Sequence, residues 1–572
     1  MEGNTAPALG EPALTFLAAF LFCGLAVLWP RFFEACFRNA ANFFSRFAKR
    51  RALAICVLFF AVVTARLAIL PRLPVPVPGI HDEYSYLLMA DTFSHGRLAN
   101  PTHPMRMSFE TFHVNWFPTY SSMYPPAQGA VLAIGQLFGH PWIGVLLSDA
   151  VMCAAILWML QAWIPARWAL LGAILVALKL GIASYWMNSY WGGAVAATGA
   201  ALVLGAMARL HRKARTREAL LLGAGLAILA NSRPYEGLLL CMPVAFYFFR
   251  WLFSRTPSHD SIRERIAKVL VPLAVVVSLT GIFMGYYNWR LTGNAFLLPH
   301  RLNMRTYNSR GLFVWEHAPK TVQYHNQQFE DFYNGWERED YANTWADFWR
   351  VSAEKGVRFG STYFWWGAML LLPGLAFVFR DKKMRLLLAI LFIVIPGLFV
   401  VIWSMPHYAA PLTCVIFALL VQAMRHLQTM RIAGRPIGTA LSGAAVFLLL
   451  TDTTTAVQRR ACDGLLWTCE GDQSREIIQK ELSRRPGKHL VIVRYEPDHN
   501  IHDEWVYDGA EIDGAKVVWA RELDPEQNAK LIAYFKDRRV WLVEPDTDNT
   551  ELVPYRPVGS NSSKDDGSDE EN

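Results

Sequence analysis

The chain has 572 residues, of which 53% are hydrophobic and 13% aromatic but only 18% charged, too apolar a composition for a soluble two-domain enzyme of that length. Its formal net charge of +8 does not point to nucleic acid, because Lys and Arg fall in short clusters between apolar runs, as in the inner loops of membrane proteins. What remains is a polytopic α-helical membrane protein.

Placing every basic cluster on the cytoplasmic side gives about 12 transmembrane helices and puts both termini outside. Residues 1–51 hold a first helix near 14–29 and an inner loop carrying Arg31, Arg38, Arg46, Lys49, Arg50 and Arg51. The opening MEGNTAPALGEP has no basic stretch before its apolar run, so that run is expected to be a retained helix, not a cleaved signal. The membrane body, 52–450, starts with a helix near 52–70. A long outer loop, 72–125, follows, opened by PRLPVPVPG, whose prolines forbid continued helix. PPAQGAVLAIGQLFG is too short to span and is expected to lie at the interface or re-enter.

Spans are expected near 140–163, 168–185, 192–209, 218–231, 237–253 and 269–287. A second outer loop, 287–360, is rich in Trp, Tyr, Asn and His. Four more spans, near 362–379, 386–403, 409–424 and 437–450, complete the body. From 451 to 556 the composition becomes that of a small outer-facing α/β domain. There HLVIVRY, AKVVWARE and RRVWLVEP read as strands and EQNAKLIAYFK as an amphipathic helix. The tail, 557–572, is expected to be disordered. Six of the eight cysteines lie in or beside apolar runs, whereas Cys462 and Cys469 lie in polar sequence and are expected to form a disulfide in an oxidising outer compartment.

Unusual polar groups gather in the outward segments HDEYSY, SYWMNSYWGG, NSRPYEG, RLNMRTYNSR and SMPHYAAP. A transporter would place ionisable groups near the bilayer midplane in two related halves, and no such duplication is seen. HDEYSYLLMADTFSHGRL is expected to be an amphipathic helix lying on the membrane, with Asp82 and Glu83 at its start. Acidic residues favour helix N-termini for dipole reasons alone. The alternative is a carboxylate that takes a proton from an attacking hydroxyl, and adjacent helical residues diverge, so one of the two would do it.

Arg233, where a helix reaches the outer face, needs an anionic partner: either Glu236 or a lipid phosphate held bidentately. Arg301, Arg305, His407 and Tyr408 are further candidates for that phosphate. Tyr124, Tyr190 and Trp191 are candidates for contact with a sugar or acceptor, although aromatic belts at membrane interfaces place such residues equally well. HExxH, P-loop and GxSxG motifs do not occur.

HDEYSY in the first large outer loop, YPPAQG at its close, and NSRP and PHYAAP at outer helix ends resemble the GT-C superfamily of polytopic glycosyltransferases. The likeness covers roughly residues 50–425. Within it the chain is similar to protein O-mannosyltransferases, the lipid A aminoarabinose transferase and the RgtA/B/C/D-like group. The resemblance implies a bacterial inner-membrane enzyme that moves a sugar from a polyprenyl-phosphate donor to a hydroxyl of an envelope glycan, lipid or protein. It implies Asp82, and possibly Glu83, as catalytic base and inversion at the anomeric carbon. No cofactor is expected, and a divalent metal is not required because arginines can neutralise one phosphate. A transporter or flippase of lipid-linked saccharides, or a membrane scaffold, would share the arginines and aromatics without needing the base.

Overall fold

The computed structural model describes residues 10–254, 260–307, 311–316, 320–339, 344–459, 473–547 and 550–556. The apolar runs form helices because a backbone surrounded by lipid must pair its polar groups within the run. In chain order they are α1 (Gly10–Leu28), α2 (Pro30–Lys49), α3 (Arg51–Ala68), α4 (His81–Ser94), α5 (Pro126–Leu137) and α6 (Pro141–Trp163). Then come α7 (Ala166–Val176), α8 (Ala194–Leu210), α9 (Thr216–Ala230) and α10 (Pro234–Leu252). Further helices span Ile262–Thr292, Trp345–Tyr363, Arg385–Phe399, Pro406–Leu427 and Ile437–Arg459.

Five helices are long and apolar enough to cross a membrane, or seven if each of two bent pairs is one span. Helices occupy the other five expected positions too, but these are shorter or less apolar, so a count of twelve is not reached on this measure. Phe246, Ile282 and Phe392 are largely exposed, as lipid-facing residues are. The chain is thus a multi-pass membrane protein.

The expected inner loop at 31–51 is instead the helix α2, separated from α1 by a turn of 110° at Trp29–Pro30. Pro30 supplies the first helical position, and an amphipathic repeat continues the helix where basic content alone suggested a loop. α1 packs against Ile437–Arg459, with Phe22 beside Phe447 and Ala26 clustering with Ala440. The last helix continues to Arg459, beyond the expected end at 450.

Several of the expected turns gather at two ends of the helical body. At one end Arg431 meets Glu34 (2.7 Å), Arg167 donates to Gln428 (3.4 Å) and Gln161 donates to the Arg51 carbonyl (3.3 Å). At the other end the Tyr190 amide donates to Glu83 (2.9 Å), and the Ala127 amide to the Asn231 carbonyl (2.9 Å).

The loop 72–125, expected on the outer side, is ordered. It holds α4 and a two-stranded antiparallel ribbon, β1 (Val114–Asn115) and β2 (Ser121–Ser122), with Val114 opposite Ser122. α4 is buried between α5 and the C-terminal sheet instead of lying on the membrane: Tyr86, Leu88, Met89 and Ala90 are all covered. Helix α5 packs on both α4 and α6. The second outer loop contains the helices Pro299–Thr306 and Trp345–Tyr363.

The three C-terminal strands stand where expected: β3 (Lys488–Val493), β4 (Val517–Arg521) and β5 (Arg538–Val543). A short β6 (Val553–Pro554) completes the order β4-β3-β5-β6, parallel except for the last pair. β3 is central, with Leu490 beside Val518 and Val540, and is apolar from Leu490 onward because helices cover both faces. Pro525–Tyr534, capped by Asp524, covers one; Gln473–Arg484, unanticipated, covers the other. Leu490, Ile492 and Leu531 share one apolar cluster with Leu88, Phe109, Val114 and Trp116 of the first outer loop. The C-terminal unit and that loop therefore bury each other's core. Cys462, Cys469 and the tail 557–572 lie outside the described residues.

Candidate functional site

The start of α4 is fixed by contacts from both sides. Arg66, fully buried at the end of α3, donates to the Leu73 carbonyl (2.7 Å) and to Asn188 (2.8 Å), pinning the proline-rich stretch that leads into the helix. Glu83 then accepts from the Gly79 amide (2.9 Å) through one oxygen and from the Tyr190 amide (2.9 Å) through the other. It is fully buried. Burial pushes its carboxyl up to about 8, against the pull of the amide donors.

Asp82, one residue earlier, points elsewhere, as the 100° step of a helix requires. Its side chain keeps 15% exposure. The Tyr124 hydroxyl donates to its Oδ1, and His113 Nδ1 lies 3.6 Å from its Oδ2. The same His113 nitrogen is 3.2 Å from the Tyr124 hydroxyl, so Asp82, Tyr124 and His113 form a closed triangle. Tyr124 in turn stacks on Tyr86 (4.5 Å). The geometry divides the carboxylates: Glu83 is a structural post, and Asp82 is the reachable group.

His113 has φ of 60°, a left-handed conformation that a non-glycine residue adopts only where its surroundings enforce it. Ser85 of α4 enforces it by donating to the His113 carbonyl (2.7 Å). Burial lowers the His113 imidazole, opposed by Asp82, and also lowers His502. Neutral imidazoles can receive or relay a proton without locking Asp82 into a fixed ion pair.

Arg233, at the start of α10, stacks on Tyr408 (4.1 Å from the ring centre). Tyr86 and Tyr408 lie within electrostatic reach of both Asp82 and Arg233. Glu236 is also in reach of Arg233, so the nearby carboxylate remains one of its partners. His407 is buried against Trp191 (4.6 Å between rings) and faces the Tyr185 hydroxyl (3.3 Å).

Other candidates fare differently. The Tyr190 hydroxyl donates to the Pro76 carbonyl (2.9 Å), and both Tyr190 and Trp191 are 2% exposed. These two aromatics frame the site instead of offering it a face. Arg301 neighbours His300, which is itself in reach of His113 and Arg233. Arg305, one turn on, is exposed, and no contact among the described residues joins it to the cluster.

Three groups beside Asp82 escaped the sequence reading: His113, His81 and His502. His81 Nε2 meets the Ile501 carbonyl (2.8 Å), its Nδ1 meets the Tyr507 hydroxyl (3.0 Å), and Tyr84 stacks on Tyr507 (4.3 Å). A signal existed. Ile-His-Asp-Glu occurs at 80–83 and again at 501–504, and the fold sets the two copies against each other, with the rings of His81 and His502 6.2 Å apart. In both copies the glutamate is buried, Glu83 on backbone amides and Glu504 on Arg521, Tyr495 and the Val506 amide. Among the described residues, no group of three His, Cys, Asp or Glu is placed to hold a metal ion.

No family model matches the sequence, and no curated protein matches it. The chain is similar to solved structures of ArnT from Cupriavidus metallidurans, apo (TM-score 0.47, 13% identity, covering 86% of this chain and 94% of that one) and bound to undecaprenyl phosphate (0.47, 14%, 86% and 93%). It is also similar to the archaeal oligosaccharyltransferase AglB from Archaeoglobus fulgidus, in complex with an inhibitory peptide and a dolichol-phosphate (0.44, 10%, 85% and 69%). At these scores the likeness is one of general chain arrangement and assigns no residue a role.

Proposed function

We propose that this protein is a glycosyltransferase of GT-C type, moving a sugar from a polyprenyl-phosphate donor to a hydroxyl of an envelope acceptor. One observation carries the reading: at the end of the helical body where the polar loops converge, a partly exposed carboxylate, Asp82, shares a tyrosine-lined site with Arg233. That pairing supplies a base and a cation, the two groups that displacement of a lipid phosphate calls for.

In this mechanism the acceptor hydroxyl gives its proton to Asp82 as its oxygen attacks the anomeric carbon. The bond from that carbon to the phosphate oxygen breaks, and polyprenyl phosphate leaves. Arg233 neutralises the leaving group, with Tyr408, His407 and Arg301 around it. A single displacement inverts the configuration through an oxocarbenium-like state. Tyr124 holds the carboxylate rotamer by its hydrogen bond, and His113 gives the abstracted proton an exit. The site would face outward, with both termini on that side of a bacterial inner membrane.

The test is turnover of isotope-labelled polyprenyl-phosphate sugars by the purified protein with an envelope extract as acceptor. Label passing from lipid to acceptor, and lost in Asp82→Asn, supports the reading. Movement of intact lipid-linked sugar across a vesicle membrane, without cleavage, would replace it with a flippase.

A further inference from the structure

The end of the molecule remote from Asp82 carries its own binding feature. In α2, projecting residues at 100° intervals puts Arg31, Arg38, Arg46 and Lys49 on one narrow arc. A second arc, centred about 120° away, holds Phe32, Cys36, Ala40, Phe43 and Phe47. A third side faces the protein through the buried Phe33 and Ala48. Phe32 is 68% and Phe43 73% exposed, so these two have no cover among the described residues, whereas Phe47 packs half-buried against the helical core.

The placement says what covers it. A 110° turn lays α2 close to perpendicular to the apolar helix α1, and α3, long and apolar enough to span, begins at Arg51. α2 is thus held between the apolar helix α1 and the start of a membrane-spanning helix, at the level where headgroups lie. Trp29, at the turn, is 61% exposed, the position of an interfacial anchor. Glu34, the one acidic residue of α2, is taken by Arg431 (2.7 Å) rather than by any of the four cations.

We propose that α2 is an interfacial helix that binds anionic phospholipids on the membrane face opposite the Asp82 site, sinking Phe32 and Phe43 among the acyl chains while its basic arc holds the headgroups. Phosphate-bearing headgroups with net negative charge fit; zwitterionic ones fit less well, because only the former offer an uncompensated charge to four clustered cations.

The experiment uses the full chain in vesicles of phosphatidylcholine with a minor fraction of spin-labelled phosphatidylglycerol or phosphatidylcholine, read as the motionally restricted fraction of each label. Phosphatidylglycerol should be enriched at the protein, and the enrichment should fall with added salt. Arg31→Gln, Arg38→Gln, Arg46→Gln and Lys49→Gln together should lower it by about fivefold or more, since each surface cation contributes up to roughly a fivefold preference. Arg38→Gln with Lys49→Gln alone, a milder change in case the fourfold variant does not fold, should lower it in the same direction. Arg263→Gln with Lys268→Gln, on a different inner segment, should leave it unchanged. Absence of any phosphatidylglycerol preference overturns the proposal. So does an equal loss in the Arg263/Lys268 control, which would make the preference a property of total charge.

Discussion

The Asp82 site and helix α2, at opposite ends of the helical body, treat charge in opposite ways. At the Asp82 end the ionisable groups are buried and cross-linked: Glu83 is clamped by two backbone amides, His81 by Ile501 and Tyr507, Arg66 by Leu73 and Asn188. At the other end Arg31, Arg38, Arg46 and Lys49 stand exposed on α2. A buried group keeps its geometry because leaving it unpaired costs more than holding it, and that is what a reaction centre needs. Exposed cations keep their mobility and suit a fluid ligand such as a lipid surface. The same difference predicts that substitutions at the first end act sharply and one residue at a time, whereas those at the second act gradually and by summed charge.

The largest effect should come at the proposed base. Asp82→Asn is expected to retain the fold and donor binding yet lower turnover by roughly 10²–10⁴-fold, the usual contribution of a positioned base. Labelled-sugar transfer at saturating donor measures it; turnover near wild type would remove Asp82 from the chemistry.

Arg233→Ala should act on the donor. Losing a charge-assisted contact worth about 1.5–3 kcal/mol should weaken polyprenyl-phosphate binding by roughly 10–100-fold. Titration of binding at fixed protein separates this from a turnover defect. If binding were unaltered while only turnover fell, Arg233 would belong with Glu236 and not with the phosphate.

Glu83→Gln sharpens the contrast within the carboxylate pair. The amide substitutes one acceptor oxygen with a donor, leaving either the Gly79 or the Tyr190 amide facing it at a cost of about 1–3 kcal/mol. The expected result is a lowered unfolding midpoint, with the surviving folded fraction still turning over substrate. A turnover loss matching that of Asp82→Asn, at unchanged stability, would reverse the roles of the two residues.

The smallest effect concerns acid. Burial, helped by His113 and His502, holds the His81 imidazole well below its ordinary 6.5. The unfolded chain then binds more protons than the folded one as pH falls, so stability is complete above about 6.5 and is lost below it. One unit below, the loss from His81 is at most about 1.4 kcal/mol. Amide protection factors in 501–507 should fall between pH 6.5 and about 5.5, and His81→Gln should flatten that dependence.

Much of the architecture was legible because its cause is local. Unbroken apolar runs become helices in any setting that excludes water from the backbone, so all twelve expected positions carry helix. β3, β4 and β5 followed from their continuous apolar, β-branched stretches. Asp82 stood out as an acidic residue at the start of a helix on the polar side. α2 was missed because the basic residues of 31–51 were read for topology alone, although the same stretch carries its phenylalanines at helical spacing.

What the sequence determined, then, was the type of most elements, α2 and Gln473–Arg484 excepted, since hydrophobic periodicity acts over a few residues. Only the tertiary structure decided which carboxylate is reachable. Asp82 and Glu83 are neighbours with nearly the same chemistry, and they part because Tyr190, 107 residues from Glu83, presents its amide to one, while Tyr124 and His113 reach the other. Likewise His81 acquires its partners from Ile501 and Tyr507, 420 and 426 positions away. Contacts at such separations leave no spacing in the chain to read, because the packing of α4 between α5 and the C-terminal sheet creates them.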